Sequence, residues 1–150
     1  MPQIITDSRF LPDDAASETL GAELARRTPQ GGTWLLRGEL GSGKTTWTRG
    51  FVAGLGGDPD QVASPTYAVL HRYESPMGRV FHLDLFRLGE AGSWSLGLED
   101  TVTPSDFLVV EWAGSTGPWP TEWVAELVLE PQAEGRLACW TQPVQPATPE

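Results

Sequence analysis

The chain has 150 residues, the length of one domain, and 20 acidic residues against 10 basic ones give it a formal net charge of −10. This acidity, with the basic residues scattered, argues against direct high-affinity binding of nucleic acid. The absence of an apolar run of about 18 residues predicts no membrane span, and Cys139 as the single cysteine excludes an internal disulfide and favours a cytoplasmic location.

The N-terminal half predicts a strand, a helix, a second strand and a second helix. Residues 4–10 predict a short strand, and Asp13 is a suitable N-cap for a helix that ends near Arg27. Apolar residues at positions 16, 20 and 24 have helical spacing within it. The apolar run 33–37 predicts a buried strand. A further helix is expected from Lys44 to about Leu55, where two glycines follow.

The C-terminal half predicts more strands than helices. Strands are expected at 68–73 and 79–85, on either side of a turn at 75–78. A short helix is expected within 88–100, a core strand at 107–111 and a final hairpin from 123–130 and 136–141. Residues 143–150 are polar and rich in proline, which predicts a disordered tail after a single domain of residues 1–142.

The segment Gly38–Thr45 (GELGSGKT) matches the phosphate-binding loop pattern G-x-x-x-x-G-K-[ST] at every fixed position. Glycines let successive backbone N–H groups turn toward a phosphate, and the following helix adds its positive N-terminal end. Lys44 is the only lysine of the chain, and its compact charge is expected to reach the β- and γ-phosphates of a nucleotide. The hydroxyl of Thr45 is a suitable ligand for Mg²⁺.

Two acidic residues end predicted strands, Asp84 and Glu111. Open α/β sheets bind ligands at the carboxyl ends of their strands, so both residues are candidates for holding Mg²⁺ or orienting water. The alternative for each is a solvated carboxylate at a strand end. His71 and His82 have no partners at metal-ligand spacing, and both are predicted to be structural.

Several nucleotide-binding classes can be compared with these motifs. The lack of a second lysine excludes the Asn-Lys-x-Asp guanine motif of Ras-like GTPases, and the protein-kinase signatures are absent from the sequence. A small-molecule kinase with an arginine-rich lid stays open, because Arg72, Arg79 and Arg87 could form part of one. A nucleotide-gated assembly module, in which binding matters and hydrolysis is incidental, is a second alternative.

Taken in order, the motifs resemble those of the bacterial TsaE (YjeE) ATPases over roughly residues 10–140. The blocks that carry this resemblance are the phosphate loop, Ser64-Pro65-Thr66-Tyr67, the block from His82 to Leu88, Leu96-Gly97-Leu98-Glu99-Asp100, and Val109-Val110-Glu111-Trp112. The resemblance implies an α/β, P-loop NTPase-like three-layer fold. Its central sheet would be mixed and mostly parallel, with added antiparallel hairpins.

The resemblance also implies a function and a set of site residues. The protein would bind the TsaD–TsaB heterodimer and hydrolyse ATP with Mg²⁺, weakly when isolated, to support threonylcarbamoyl modification of adenosine 37 (t6A37) in tRNA. Lys44, Asp84 and Glu111 would be catalytic, and Thr45, Asp84 and Glu111 would hold the metal. Nucleotide contacts would come from the loop, a switch-I-like segment and a C-terminal Gly-Arg pair, through Gly41, Ser42, Gly43, Lys44, Thr45, Thr46, Thr66 and Arg136.

Overall fold

Within the part of the chain that the structure describes, seven strands form one mixed β-sheet. The computed structural model describes residues 3–28, 31–39, 43–62, 70–84, 98–111 and 119–144. The order of the strands across the sheet is β1-β7-β6-β2-β5-β4-β3. In chain order they are β1 (Gln3–Leu11), β2 (Gly32–Gly38), β3 (Leu70–Tyr73), β4 (Val80–Asp84), β5 (Phe107–Glu111), β6 (Trp123–Gln132) and β7 (Gly135–Val144).

The centre of the sheet is parallel and its flanks are antiparallel. Strand β2 pairs in parallel with β5 on one side and β6 on the other, and β4 pairs in parallel with β5. Antiparallel pairing joins β3 to β4, β7 to β6 and β1 to β7. The predicted mixed sheet with added hairpins is confirmed, and among the described strands the two kinds of ladder are equal in number, three each.

The two predicted helices, α1 (Asp14–Arg27) and α2 (Lys44–Gly54), are present, and both pack on one face of the sheet. The N-cap of α1 is Asp13, whose carboxylate accepts the backbone N–H of Ala16 at 2.8 Å and so satisfies a donor of the first turn. A 3₁₀ turn at Pro59–Gln61 and a short helix at Leu98–Thr101 are also described. The latter lies at the end of the helix expected within 88–100, and the rest of that segment is outside the described residues.

Glycines bring the backbones of α1 and α2 into direct contact. A Cβ atom on Gly21 would lie 2.2 Å from the carbonyl oxygen of Trp47, and one on Gly50 would lie 2.0 Å from that of Glu18. Neither position can accept a side chain without separating the helices, although glycine within a helix costs about 1 kcal/mol relative to alanine. This crossing fixes where α2 lies over the sheet, and therefore where its N-terminus lies.

The hydrophobic core forms two clusters, one on each face of the sheet. On the face of α1 and α2, the ring centroids of Trp34 and Trp47 lie 5.3 Å apart and those of Trp47 and Phe51 lie 5.2 Å apart. On the other face, Val102 and Trp119 pack against alternate strand residues. Every residue of β4 and β5 is buried, as expected for central parallel strands that are covered on both sides.

The C-terminal strand is longer than the sequence predicts. Strand β7 continues through Pro143 and Val144, which pair with Ile4 and Gln3 of the edge strand β1. The ordered chain therefore extends two residues past the boundary expected at 142, because the long β1 supplies partners for them. Residues 145–150 of the predicted tail lie outside the described residues. In the described ranges, the helices are too short or too polar to cross a membrane.

A buried carboxylate, Asp106, anchors the turn before β5. It accepts hydrogen bonds from Arg79 Nε at 3.0 Å and Nη2 at 2.7 Å, and from the backbone N–H and hydroxyl of Thr103 at 2.8 and 3.1 Å. Burial alone would raise the pKa of Asp106, but the donors from Arg79 and Thr103 outweigh it and lower the pKa. The ionised form is thus the one that the fold stabilises.

We expect Asp106→Asn to lower the free energy of unfolding by about 1–3 kcal/mol near neutral pH, because the hydrogen bonds lose their charge assistance and one acceptor oxygen becomes an amide NH₂ group that faces other donors. Since the folded pKa lies below the unfolded one, the contribution is present above the unfolded pKa and is lost as pH falls through the folded pKa. Urea unfolding at neutral and acid pH measures this difference.

Glu74→Gln is the matched control for Asp106→Asn. Glu74 also pairs with an arginine, Arg72, but both side chains are more than half exposed, so little change in stability is expected. A loss for Asp106→Asn that is equally large at both pH values would contradict the account.

Candidate functional site

The carboxyl ends of β2, β4 and β5 meet the N-terminus of α2 at one edge of the sheet. Strand β2 ends at Gly38, β4 at Asp84 and β5 at Glu111, and α2 begins at Lys44. The three strands are parallel neighbours, so their carboxyl ends lie together. In open α/β sheets this edge is where ligands bind. The strand and the helix predicted on either side of the phosphate-loop motif are confirmed, and residues 40–42 of the motif lie outside the described residues.

Lys44 is the first residue of α2 and is only 4% exposed. Its ammonium group donates to the carbonyl oxygens of Gly38 at 2.8 Å and Glu39 at 3.1 Å, so the side chain folds back along the loop. Burial lowers the pKa of Lys44, while the charges of Glu111 and Asp84 act in the opposite direction. The result is a buried cation between loop carbonyls and two carboxylates, which is a suitable partner for phosphate oxygens.

Gly43, the N-cap of α2, brings the loop against β7. Its φ of 99° lies in the left-handed region, where glycine is favoured. A Cβ atom at this position would lie 3.0 Å from Nη1 of Arg136, so the guanidinium group of that residue lies directly against Gly43. Arg136 also donates to Asp14 Oδ1 at 3.1 Å, which links it to the first turn of α1. A second cation therefore lies at the start of α2.

Two carboxylates and a hydroxyl lie next to one another at this edge. Asp84 and Glu111 are register partners on β4 and β5, and they are 7% and 5% exposed. The hydroxyl of Thr45 donates to Glu111 Oε2 at 3.3 Å. Thr46 follows in the same turn of α2 and is half-buried.

This donor set fits Mg²⁺, which prefers oxygen ligands and takes one or two carboxylates together with water and phosphate. Within the described ranges, no cluster of three or more His, Cys, Asp or Glu residues could hold a metal ion. A metal bound at this edge would therefore need further ligands from water or phosphate. That requirement is typical of Mg²⁺ sites that work on nucleotides, and it differs from a closed structural metal site.

A histidine that the sequence analysis did not assign to the site contacts Glu111. His82 is fully buried on β4, and its Nε2 atom forms a hydrogen bond with Glu111 Oε2. The Nδ1 atom of His82 lies 3.1 Å from the hydroxyl of Tyr73, which lies 3.2 Å from Nδ1 of His71. The spacing of possible metal ligands along the sequence does not indicate this contact between His82 and Glu111. The sequence feature that points to His82 is strand alternation, which places residues 82 and 84 on the same face of β4.

The structure brings most of the predicted site residues to this one edge. They are Gly43, Lys44, Thr45, Thr46, Asp84, Glu111 and Arg136. The remaining predicted residues, Gly41, Ser42 and Thr66, lie outside the described residues, as does Arg87. The small-molecule kinase alternative relied partly on Arg79, which instead pairs with Asp106 at the opposite end of β4.

Comparison with known proteins agrees with this arrangement. The family model described as "Threonylcarbamoyl adenosine biosynthesis protein TsaE" matches residues 11–137. A protein of Haemophilus influenzae named "tRNA threonylcarbamoyladenosine biosynthesis protein TsaE" is 30% identical over 71% of this chain and 70% of its own length. Proteins of the same name from Synechocystis and Bacillus subtilis are each 40% identical, over 53% and 52% of this chain.

The matches to the last two relatives span about half of each relative, 50% and 48% of their lengths. Among solved structures, the crystal structure of Bacillus subtilis YdiB has the same fold, with a TM-score of 0.66 over 95% of this chain and 87% of that one, at 22% sequence identity. The family model covers most of the chain and includes every described site residue. The chain belongs to the TsaE family of threonylcarbamoyl adenosine biosynthesis proteins.

Proposed function

We propose that this protein is the ATP-binding and ATP-hydrolysing component of the cytoplasmic machinery that makes t6A37 in tRNA, and that it acts on a TsaD–TsaB complex. One observation supports this most directly. Thr45, at the start of the phosphate-loop helix, is hydrogen-bonded to Glu111, which pairs in register with Asp84. Membership in the TsaE family supports the role in tRNA modification.

Two cations among the described residues, Lys44 and Arg136, would both bind phosphate. Lys44 Nζ, which donates to the carbonyls of Gly38 and Glu39 when no nucleotide is bound, would donate to phosphate oxygens. Arg136 would approach the same phosphates from the side of Gly43. The N-terminus of α2 adds its backbone N–H groups.

The acidic side of the site would organise the metal and the attacking water. Mg²⁺, when bound, neutralises charge that develops on the phosphate oxygens. Thr45, Asp84 and Glu111 are the residues that would hold it, because the Thr45 hydroxyl bonds to Glu111 and Asp84 is the register partner of Glu111. The two carboxylates can also accept hydrogen bonds from a water and orient it. In such reactions, positioning and charge stabilisation account for most of the rate enhancement.

Turnover by this site can be separated from nucleotide binding with Asp84→Asn and Glu111→Gln. Both variants should retain ADP binding, because Lys44 and the loop are intact, and both should lose about 100-fold or more in ATP turnover. Turnover is measured with and without TsaD–TsaB, together with t6A formation in the reconstituted pathway. Glu126→Gln is the control, since Glu126 is a half-exposed acid on β6 that pairs with Arg37.

We expect t6A formation to fall with turnover in these variants and to stay unchanged in the control. Full t6A formation without ATP turnover would contradict the proposed ATPase function and favour a nucleotide-gated assembly module. A phosphorylated small molecule formed from ATP would favour a kinase.

The role of Arg136 can be tested separately. Arg136→Gln should weaken ATP and ADP binding by about 10- to 100-fold, because a charge-assisted hydrogen bond to phosphate is lost. Asp14→Asn is the matched control, since it removes the carboxylate partner of Arg136 and leaves the guanidinium beside Gly43. Calorimetric titration measures the affinities. Equal affinities for Arg136→Gln and the wild type would show that Arg136 only links β7 to α1.

A further inference from the structure

A chain of hydrogen bonds runs from the edge strand β3 to the carboxylate of Glu111. It begins at His71, passes through Tyr73 and His82, and ends at Oε2 of Glu111. The residues His71, Tyr73 and His82 lie on adjacent antiparallel strands, where His71 and His82 are register partners. The paired strands β3 and β4 therefore carry every residue of this hydrogen-bond chain except Glu111.

With Glu111 ionised and His82 neutral, the donors and acceptors of this hydrogen-bond chain follow in one direction. An ionised carboxylate only accepts hydrogen bonds, so Nε2 of His82 must donate to Glu111. A neutral His82 then has an acceptor at Nδ1, which takes the hydroxyl proton of Tyr73. The oxygen of Tyr73 can in turn accept from Nδ1–H of His71. Each link then has one donor and one acceptor, and burial lowers the pKa of His71, in keeping with a neutral ring.

These hydrogen bonds hold one carboxylate oxygen of Glu111 in place and thereby set the direction of the other. In the described part of the molecule, His82 and Thr45 both donate to Oε2. Because both donors reach the same oxygen, rotation about the terminal torsion of Glu111 is restricted, and Oε1 points in one direction. A glutamate has three side-chain torsions and would otherwise adopt several orientations at this edge.

We propose that His82, supported by Tyr73, is a positioning residue that orients the Glu111 carboxylate for Mg²⁺ at the nucleotide site. This inference rests on the proposed function, because it assumes that the site takes a metal-bound nucleotide. Residues that bond to metal ligands from behind commonly set the orientation of those ligands. Asp84 lies two residues beyond His82 on the same face of β4, so one strand supplies both a metal ligand and the support for another.

The test compares nucleotide affinity with Mg²⁺ and with EDTA, so that the metal-dependent gain is measured as a ratio. His82→Phe removes both ring nitrogens and should reduce that gain by about 10- to 100-fold. Affinity for ADP in EDTA should be unchanged, because Lys44 and the loop do not depend on His82. His82→Gln places an amide N–H near the position of Nε2 and should restore most of the gain.

Tyr73→Phe provides a second variant that keeps the ring and its packing and removes only the hydroxyl. It should reduce the metal-dependent gain by less than His82→Phe, and thermal unfolding verifies that each variant folds. An unchanged gain in a folded His82→Phe, an unchanged gain in Tyr73→Phe where His82→Phe does not fold, or an equal loss of affinity with and without metal would overturn the proposal. A wild-type protein without any Mg²⁺-dependent gain would instead contradict the proposed function.

Discussion

The bond between Thr45 and Glu111 joins the first turn of α2 to the end of β5, and the arrangement of the site depends on it. It brings the positive end of a helix to a sheet edge that already carries two register-paired carboxylates. Opposite charges are thereby placed within one small region, where burial strengthens their interaction. Lys44 is one of these charges: burial lowers its pKa, and the negative charges of the two carboxylates oppose that effect.

The helix crossing makes this contact achievable. Gly21 and Gly50 allow α1 and α2 to touch backbone to backbone, and Trp47 of α2 packs against Trp34 of β2. Because these contacts hold α2 along its length, its first residues lie at a fixed position relative to the sheet edge. A larger residue at either glycine would shift the helix axis, and with it the distance from Thr45 to Glu111. Packing in the core and geometry at the site are thus linked through one helix.

Local sequence patterns were sufficient to predict the helices, the strands and the central residues of the site. Apolar periodicity predicted α1 and the buried strands, and the phosphate-loop spacing together with acids at strand ends singled out Lys44, Asp84 and Glu111. The contact of His82 with Glu111 depends on which strands are neighbours and in what register, and local periodicity determines neither. The approach of Arg136 to Gly43 depends in the same way on the path of β7, and only the resemblance to a family indicated it.

On the proposed function, this sheet edge binds the phosphates of a magnesium nucleotide through Lys44. Calorimetric titration of ATP and Mg²⁺ into the wild-type protein and into Lys44→Ala measures this binding, with circular dichroism and thermal unfolding to verify that both proteins are folded. We expect saturable binding by the wild type that EDTA weakens, and no detectable binding by Lys44→Ala. Equal binding by the two proteins, or no binding by a folded wild type, would contradict it.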